Sequence, residues 1–252
     1  MKNIYLTDNI EEIRQRTKNR ASKFSTDLEE NWKNLEIEIT TTKTGEEILV
    51  IENLEVMASF QKPYMKKLAE IACSNGGDIL NVGFGLGLAD TFIESYRPKI
   101  NEHHIVELNT EVFLNAKKWK ASQLNFEKIC LHHGNWKDVI PTIKKPFDGI
   151  LYDAYPLKAD ELCRDFIPFL EVIIQNKLIK EHTGTITFFL DASDDFGSDF
   201  RNWAKKLGIQ SMDLQKVNIS LPSNRISQTW TKDYFLAPKL SNIIYSQPNK
   251  EP

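Results

Sequence analysis

Apolar positions along this chain follow two different spacings. Near the start, Ile10, Ile13 and Thr17 fall on one side of a charged stretch opened by Asp8, which predicts a helix over 8–22. Two β-rich runs at 35–41 and 48–51, joined by the polar turn Lys43-Thr44-Gly45-Glu46, predict a hairpin. From residue 63 the two spacings alternate: helix 63–74, strand 78–82, helix 88–96, strand 103–107, helix 110–121, strand 127–132, a short helix after Trp136, and strand 148–153. A helical stretch over 159–175, kinked at Pro168, leads to strand 184–190, helix 195–206 and two strands near 211–220 and 230–237. Strands alternating with helices imply a parallel sheet covered on both faces, and two final strands with no helix between them imply an antiparallel hairpin. The expected fold class is therefore α/β: a doubly wound, Rossmann-like, mostly parallel sheet with an N-terminal helix and hairpin in front and an antiparallel hairpin at its end. The chain divides into an N-terminal cap over 1–55, one large domain over 56–245 and a loose polar tail over 246–252.

In such a sheet, ligands bind outside the carboxyl ends of the strands, so the residues after each strand carry the chemistry. The first strand runs through Asp78-Ile79-Leu80-Asn81-Val82 into Gly83-Phe84-Gly85-Leu86-Gly87, where glycines let the backbone turn sharply and approach a ligand. About 20 residues on, Glu107 closes the second strand, where a carboxylate accepts both hydroxyls of a ribose. This pairing points to a nucleoside-containing cofactor. Gly134-Asn135-Trp136 follows the third strand, and its aromatic ring is placed to cover an adenine face or to anchor the core. Asp153, after the apolar run Gly149-Ile150-Leu151-Tyr152, projects into the crevice where substrate and cofactor meet, and Ala154-Tyr155-Pro156-Leu157 continue that loop.

Composition narrows the picture. With 252 residues, 41% hydrophobic and 27% charged, the chain suits one large domain. The formal net charge of −3 and the scattering of Lys117-Lys118-Lys120, Lys144-Lys145 and Lys205-Lys206 argue against a nucleic-acid partner. No window is apolar over the length a bilayer needs and no apolar run follows a basic start, so a cytoplasmic protein without a membrane partner is expected. Cys73, Cys130 and Cys163 lack CxxC spacing and read as buried, reduced thiols. His103, His104, His132, His133 and His182 come as two adjacent pairs and a single, none at helical spacing beside acids, so no metal is expected.

Longer stretches carry a resemblance. The run Val56-Met57-Ala58-Ser59-Phe60-Gln61-Lys62-Pro63-Tyr64-Met65, the segment Gly76 to Gly85, the turn Gly134-Asn135-Trp136 and Phe147-Asp148-Gly149-Ile150-Leu151-Tyr152-Asp153-Ala154-Tyr155-Pro156-Leu157 together resemble the guanidinoacetate N-methyltransferase family and its relatives that methylate the δ-nitrogen of arginine. The resemblance implies a class I methyltransferase sheet, whose terminal hairpin agrees with the two late strands, with S-adenosylmethionine as cofactor and S-adenosylhomocysteine as product. It implies cofactor contacts at Met57, Met65, Gly83, Phe84, Gly85, Leu86, Gly87, Leu88, Glu107, Leu108, Asn135, Trp136 and Asp153. Substrate contacts are implied at Gln61, Asp153, Tyr155, Ala192 and Ser193, with Asp153 as the catalytic carboxylate. Without the resemblance, Met57 and Met65 read as core fillers.

Three positions depart from the family pattern. Gln61 stands where the family has a glutamate, Asn81 replaces an acid before the glycine loop, and Ala192 replaces a threonine. The donor half of the site is thus expected to be intact and the acceptor half altered. Asp191 or Asp194 could restore the missing charge. The expected reaction is N-methylation of a small guanidino or amino compound, with arginine or a related amino acid ahead of guanidinoacetate. The alternatives are a cofactor-binding protein that no longer transfers, and a nucleotide-linked oxidoreductase. The segment before residue 54 is expected to close over the site, to form a face for a homodimer, or to protect a sheet edge.

Overall fold

The computed structural model of the chain describes residues 4–5, 31–97, 99–154, 166–190, 198–222 and 232–245. The expected helix over 8–22, the loop residues Tyr155, Ala192 and Ser193, the acids Asp191 and Asp194, Cys163 and the tail over 246–252 lie outside the described residues.

Two sheets share one body. The smaller has the order β1-β2-β3-β4, with β1 (Ile4–Tyr5), β2 (Ile37–Thr41), β3 (Glu47–Ile51) and β4 (Leu54–Ala58). The predicted hairpin is β2 and β3, paired antiparallel with Ile39 opposite Leu49. Its neighbour β4 is a strand that the sequence reading passed over. The β3–β4 turn has Glu52 and Asn53 at φ of 50° and 65°, the left-handed pair of a tight hairpin turn, built without the glycine that usually signals one. Because β4 runs through residue 55, the expected border of the N-terminal cap falls inside a strand. Ile48, Leu49, Ile51 and Leu54 of this sheet pack into the same apolar cluster as Tyr64, Met65 and Leu68.

The larger sheet has seven strands in the order β10-β11-β9-β8-β5-β6-β7. These are β5 (Gly77–Val82), β6 (Ile100–Glu107), β7 (Ile129–His133), β8 (Gly149–Tyr152), β9 (Thr185–Phe188), β10 (Ile209–Asn218) and β11 (Tyr234–Ile243). The first five are mutually parallel, and β11 lies antiparallel between β9 and β10. The helices are α1 (Lys62–Ala72), α2 (Leu88–Glu94), α3 (Thr110–Ala121), α4 (Trp136–Val139), α5 (Phe166–Gln175) and α6 (Ser198–Leu207). Residues of α1, α2 and α3 cluster with Ile79, Ile105 and Leu151 on one face, whereas α4, α5 and α6 cover Leu80, Val82, Val106 and Ile150 on the other. Neighbours in a strand thus alternate between two cores, as the period of two requires. Chain order reverses direction at β5, with β6 on one side and β8 on the other, which opens the crevice at the C-terminal end of β5.

The last strand differs from its expected position. The expected strand is near 230–237, whereas β11 starts at Tyr234 and runs on through Pro238 to Ile243. At that level β9 needs no amide from Pro238. The Thr187 hydroxyl donates to the Pro238 carbonyl at 2.6 Å instead, and ladder pairing with β9 is made at Leu240 opposite Ile186. No described helix is long and apolar enough to cross a membrane.

Candidate active site

The glycine loop begins where β5 and β8 end side by side. Gly83 has φ +96°, and a Cβ there would stand 2.3 Å from the Asp153 carbonyl oxygen, so only glycine lets the two strand ends close on each other. Two residues on, a Cβ at Gly85 would meet the Met57 sulfur at 2.9 Å. That sulfur also accepts the Leu86 amide at 3.3 Å, so β4 of the smaller sheet supports the loop from beneath. Phe84 turns inward against Trp119, ring centroids 5.5 Å apart, and Gly87 leads into α2 at Leu88.

Glu107 ends β6 beside this loop. One carboxylate oxygen accepts the Phe84 amide at 2.9 Å and the other accepts the Asn109 amide at 2.7 Å. Burial pushes its carboxyl above the usual range, while these backbone amides pull it back down. The Leu108 and Gly85 amides also act on this carboxylate, so the glycine loop and the start of the next loop both turn their N–H groups toward it. The Gly134 amide donates to the Glu107 carbonyl at 3.0 Å, which brings the loop after β7 alongside. There Asn135 caps α4 by accepting the Lys137 amide at 3.0 Å.

Asp153 follows β8, its amide donating to the Val82 carbonyl at 2.8 Å. The residue is half-buried, but its Oδ2 is sealed from solvent and has no hydrogen-bond partner among the described residues. Burial, then the charges of Asp90 and Glu107, push its carboxyl up to about 8. An acid held in that state is stabilised by any cation that reaches it.

Beneath the loop, the Oδ1 of Asp90 meets a chain of partners, while its Oδ2 is buried with no hydrogen-bond partner among the described residues. The Asn81 amide donates to Asp90 at 2.8 Å and to the Gly83 carbonyl at 2.9 Å. His103 stands 3.1 Å from Asp90 and 2.9 Å from Glu94, and Arg97 donates to Glu94 from Nε at 2.9 Å. Burial alone would lower His103, but the bonds to Asp90 and Glu94 outweigh it and hold the imidazole above its ordinary value. Burial would raise Glu94, and the bonds from His103 and Arg97 hold it below. This chain accounts for one departure from the family pattern. An acid at position 81 would face Asp90, whereas the Asn81 amide bridges Asp90 to the glycine loop.

Gln61, implied by the resemblance as a substrate contact, is buried and its side-chain carbonyl accepts the Ala58 amide at 3.2 Å, closing the single 3-10 turn Ser59–Gln61. Tyr64 forms a link that the sequence reading missed. Its hydroxyl donates to the Leu236 carbonyl at 2.9 Å and accepts the Leu190 amide at 3.0 Å, which ties α1 to the end of β9. The ring stacks on Phe235 at 4.7 Å.

The structure therefore brings Met57, Gly83, Phe84, Gly85, Leu86, Gly87, Leu88, Glu107, Leu108 and Asp153 around one crevice. It places Met65, with no exposed surface, inside the α1 core. Trp136 is buried edge-on against Tyr152 at 6.2 Å and Phe169 at 5.3 Å, so its ring serves packing. Asp90 and His103 went unremarked in the sequence as site residues. The available signal was polar Asn81 and His103 sharing a strand face with Ile79 and Ile105.

A model of the family described as guanidinoacetate N-methyltransferase matches residues 22–198. Proteins named protein arginine N-methyltransferase 2 are similar in sequence. The one from Yarrowia lipolytica is 27% identical over 164 residues, covering 62% of this chain and 32% of that protein. The one from Aspergillus oryzae is 28% identical over 193 residues, covering 74% and 41%. The Saccharomyces cerevisiae protein is 31% identical over 120 residues, covering 46% and 26%. This chain spans less than half the length of these curated relatives. Among solved structures, spermidine synthase from Thermotoga maritima superposes with a TM-score of 0.57 at 15% identity, covering 82% of this chain and 69% of that one, a likeness of fold. The family match covers well over half the chain and includes the glycine loop, Glu107 and Asp153; this chain belongs to the guanidinoacetate N-methyltransferase family.

Proposed function

We propose that this chain transfers a methyl group from S-adenosylmethionine to a nitrogen of a small guanidino compound, arginine first and guanidinoacetate next. The observation that carries the reading is Asp153: a carboxylate oxygen sealed from water, without a partner among the described residues, at the crevice between β5 and β8.

The residues present fit the cofactor. The space at Gly83 and Gly85 that any Cβ would fill admits close approach of a ligand to backbone. Glu107 stands at the end of β6 beside this loop, the place where a carboxylate meets ribose hydroxyls, and the charges of Asp90 and Glu107 that raise Asp153 favour a positively charged guest. When bound, S-adenosylmethionine supplies an electrophilic methyl group on a positively charged sulfur.

The chain's own residues supply position and a proton acceptor. A cation arriving at Asp153 favours the ionised form of a carboxyl that otherwise stays protonated to about pH 8. The ionised Asp153 accepts N–H bonds from the acceptor group, aims its nitrogen and takes the proton that this nitrogen sheds on methylation. With the Gln61 carbonyl committed to Ala58, charge compensation of a guanidinium among the described residues rests on Asp153.

The test is to incubate purified protein with methyl-labelled S-adenosylmethionine and, in separate arms, free arginine, guanidinoacetate and an arginine-rich polypeptide, following label by mass spectrometry. Label in either small compound supports the proposal. Label only in the polypeptide moves the acceptor to protein arginine. Cofactor binding with no labelled product in any arm would make the chain a binder rather than a transferase.

A further inference from the structure

Away from the crevice, the two strands β6 and β7 present a second cluster. Glu102 and His104 are two residues apart on β6 and share a face, as do Cys130 and His132 on β7. The parallel register sets His104 opposite Cys130 and Val106 opposite His132. One ligand atom each from Glu102, His104 and Cys130 lies within 4.8 Å of the other two. The His104 Nε2 stands 3.2 Å from the Glu102 carboxylate, and its Nδ1 stands 3.0 Å from the His132 Nε2.

We propose that Glu102, His104 and Cys130 form a binding site for a divalent transition metal of the zinc class, with His132 as the residue that positions His104. A thiolate, an imidazole and a carboxylate together select zinc-class ions over magnesium or calcium, which prefer oxygen alone. Ligands bonded to zinc at about 2.0–2.3 Å stand roughly 3.3–3.8 Å apart, so the donors need only a small contraction. Coordination through the His104 Nε2 leaves Nδ1–H to donate to His132, the arrangement that fixes the tautomer and aim of a ligating histidine. On binding, the metal–sulfur bond forms and the Cys130 thiol proton leaves to solvent. The Lys145 ammonium contacts Glu102 and also Asp78 at 3.1 Å, so it competes with the metal for Glu102 and retains Asp78 when displaced.

The site is separate from the methyl-transfer crevice. Glu107 lies three to five residues further along β6, about 10–16 Å at strand rise, and His104 packs edge-on to Phe147 at 5.1 Å. A metal here fastens β7, the edge strand of the larger sheet, to β6.

The test uses the full chain, stripped with chelator and titrated with Co²⁺ and then Zn²⁺ alone. The expected result is one equivalent of Co²⁺ with a thiolate charge-transfer band, displaced by Zn²⁺. Cys130→Ser should lose the band while its melting temperature in chelator stays at the wild-type value. His132→Phe should keep the band but bind about 10–100-fold more weakly. Lys145→Met should bind more tightly, since it frees Glu102. No uptake by the wild-type chain, or a band that persists in Cys130→Ser, overturns the proposal. Unchanged affinity in Lys145→Met removes Glu102 from the ligand set and overturns it as stated.

Discussion

Two aspartates bracket β8, and they live in opposite electrostatic worlds. Asp148, just before the strand, accepts the Lys180 ammonium at 2.8 Å and the Asp78 amide at 2.8 Å. Asp153, just after it, has a buried oxygen with no partner among the described residues and two other acids close enough to raise it. The same residue type, separated by four apolar positions, is compensated at one end of the sheet and left wanting a cation at the other. A carboxyl that a fold holds protonated, when it could be paired as easily as Asp148 is, fits the end of the sheet where the proposed cation binds.

The largest effect expected from breaking this contrast is at Asp153. Asp153→Asn should lower methyl transfer by about 10²–10⁴-fold in a single-turnover assay. It should also stabilise the ligand-free chain. The carboxyl keeps its proton to about 8 when folded and to about 3.8 when unfolded, so the wild-type chain loses stability as pH rises through that window. The melting temperature of the variant should exceed that of the wild type by a margin that widens from about pH 4 to about pH 8 and then levels off. Turnover near wild type in this variant would remove Asp153 from the mechanism.

His103→Phe comes next, because it strips Asp90 and Glu94 of their shared partner, at a cost of about 3–5 kcal/mol by urea unfolding. His103 is held above 6.5 when folded, so the stability it supplies is complete below that pH and fades as pH rises through the raised value. The deficit should therefore be smaller in alkaline buffer. A deficit independent of pH would mean that the ring serves packing alone.

Glu107→Gln should weaken S-adenosylmethionine binding by about 1.5–3 kcal/mol, read by calorimetry, since hydrogen bonds to a charged acceptor are exchanged for neutral ones. The smallest effect belongs to Asp148→Asn. It should lose about 1 kcal/mol of stability, because the Lys180 partner is 43% exposed, and leave cofactor affinity unchanged. Equal damage to cofactor binding from Asp148→Asn and Glu107→Gln would erase the distinction between the two ends of the sheet.

Whatever depends on neighbours in sequence was legible beforehand. The turn at Gly83 to Gly87 announces itself by its glycines, Asn109 marks the start of α3 because it caps the Glu111 and Val112 amides, and Asp153 stands out at the end of an apolar run. What depends on pairing across the chain was not. β4 went unseen because Glu52-Asn53 turns without glycine, and the full length of β11 rests on its pairing with β10 as far as Ile243 opposite Ile209. The partnership of Asp90 with His103 spans α2 and β6, so neither residue signals it alone. The histidines were weighed by helical spacing, whereas His104 and His132 lie on adjacent strands, where the period is two. The role of Gln61 as a turn-closing residue rests on its contact with the Ala58 amide, which its place in the motif does not reveal.

The position of β11 has a consequence for how the chain is made. Because β11 lies between β9 and β10, the strand β9, with all four of its residues buried, remains a bare edge until Tyr234–Ile243 has left the ribosome. Tyr64 waits still longer in relative terms, since its hydroxyl meets Leu190 across 126 positions and Leu236 across 172. Such long closures are slow, and an unpaired apolar edge invites addition by other chains in the interval. Nascent chains halted before residue 234 should therefore aggregate through β9, and β11 acts as the protector of a strand synthesised well before it.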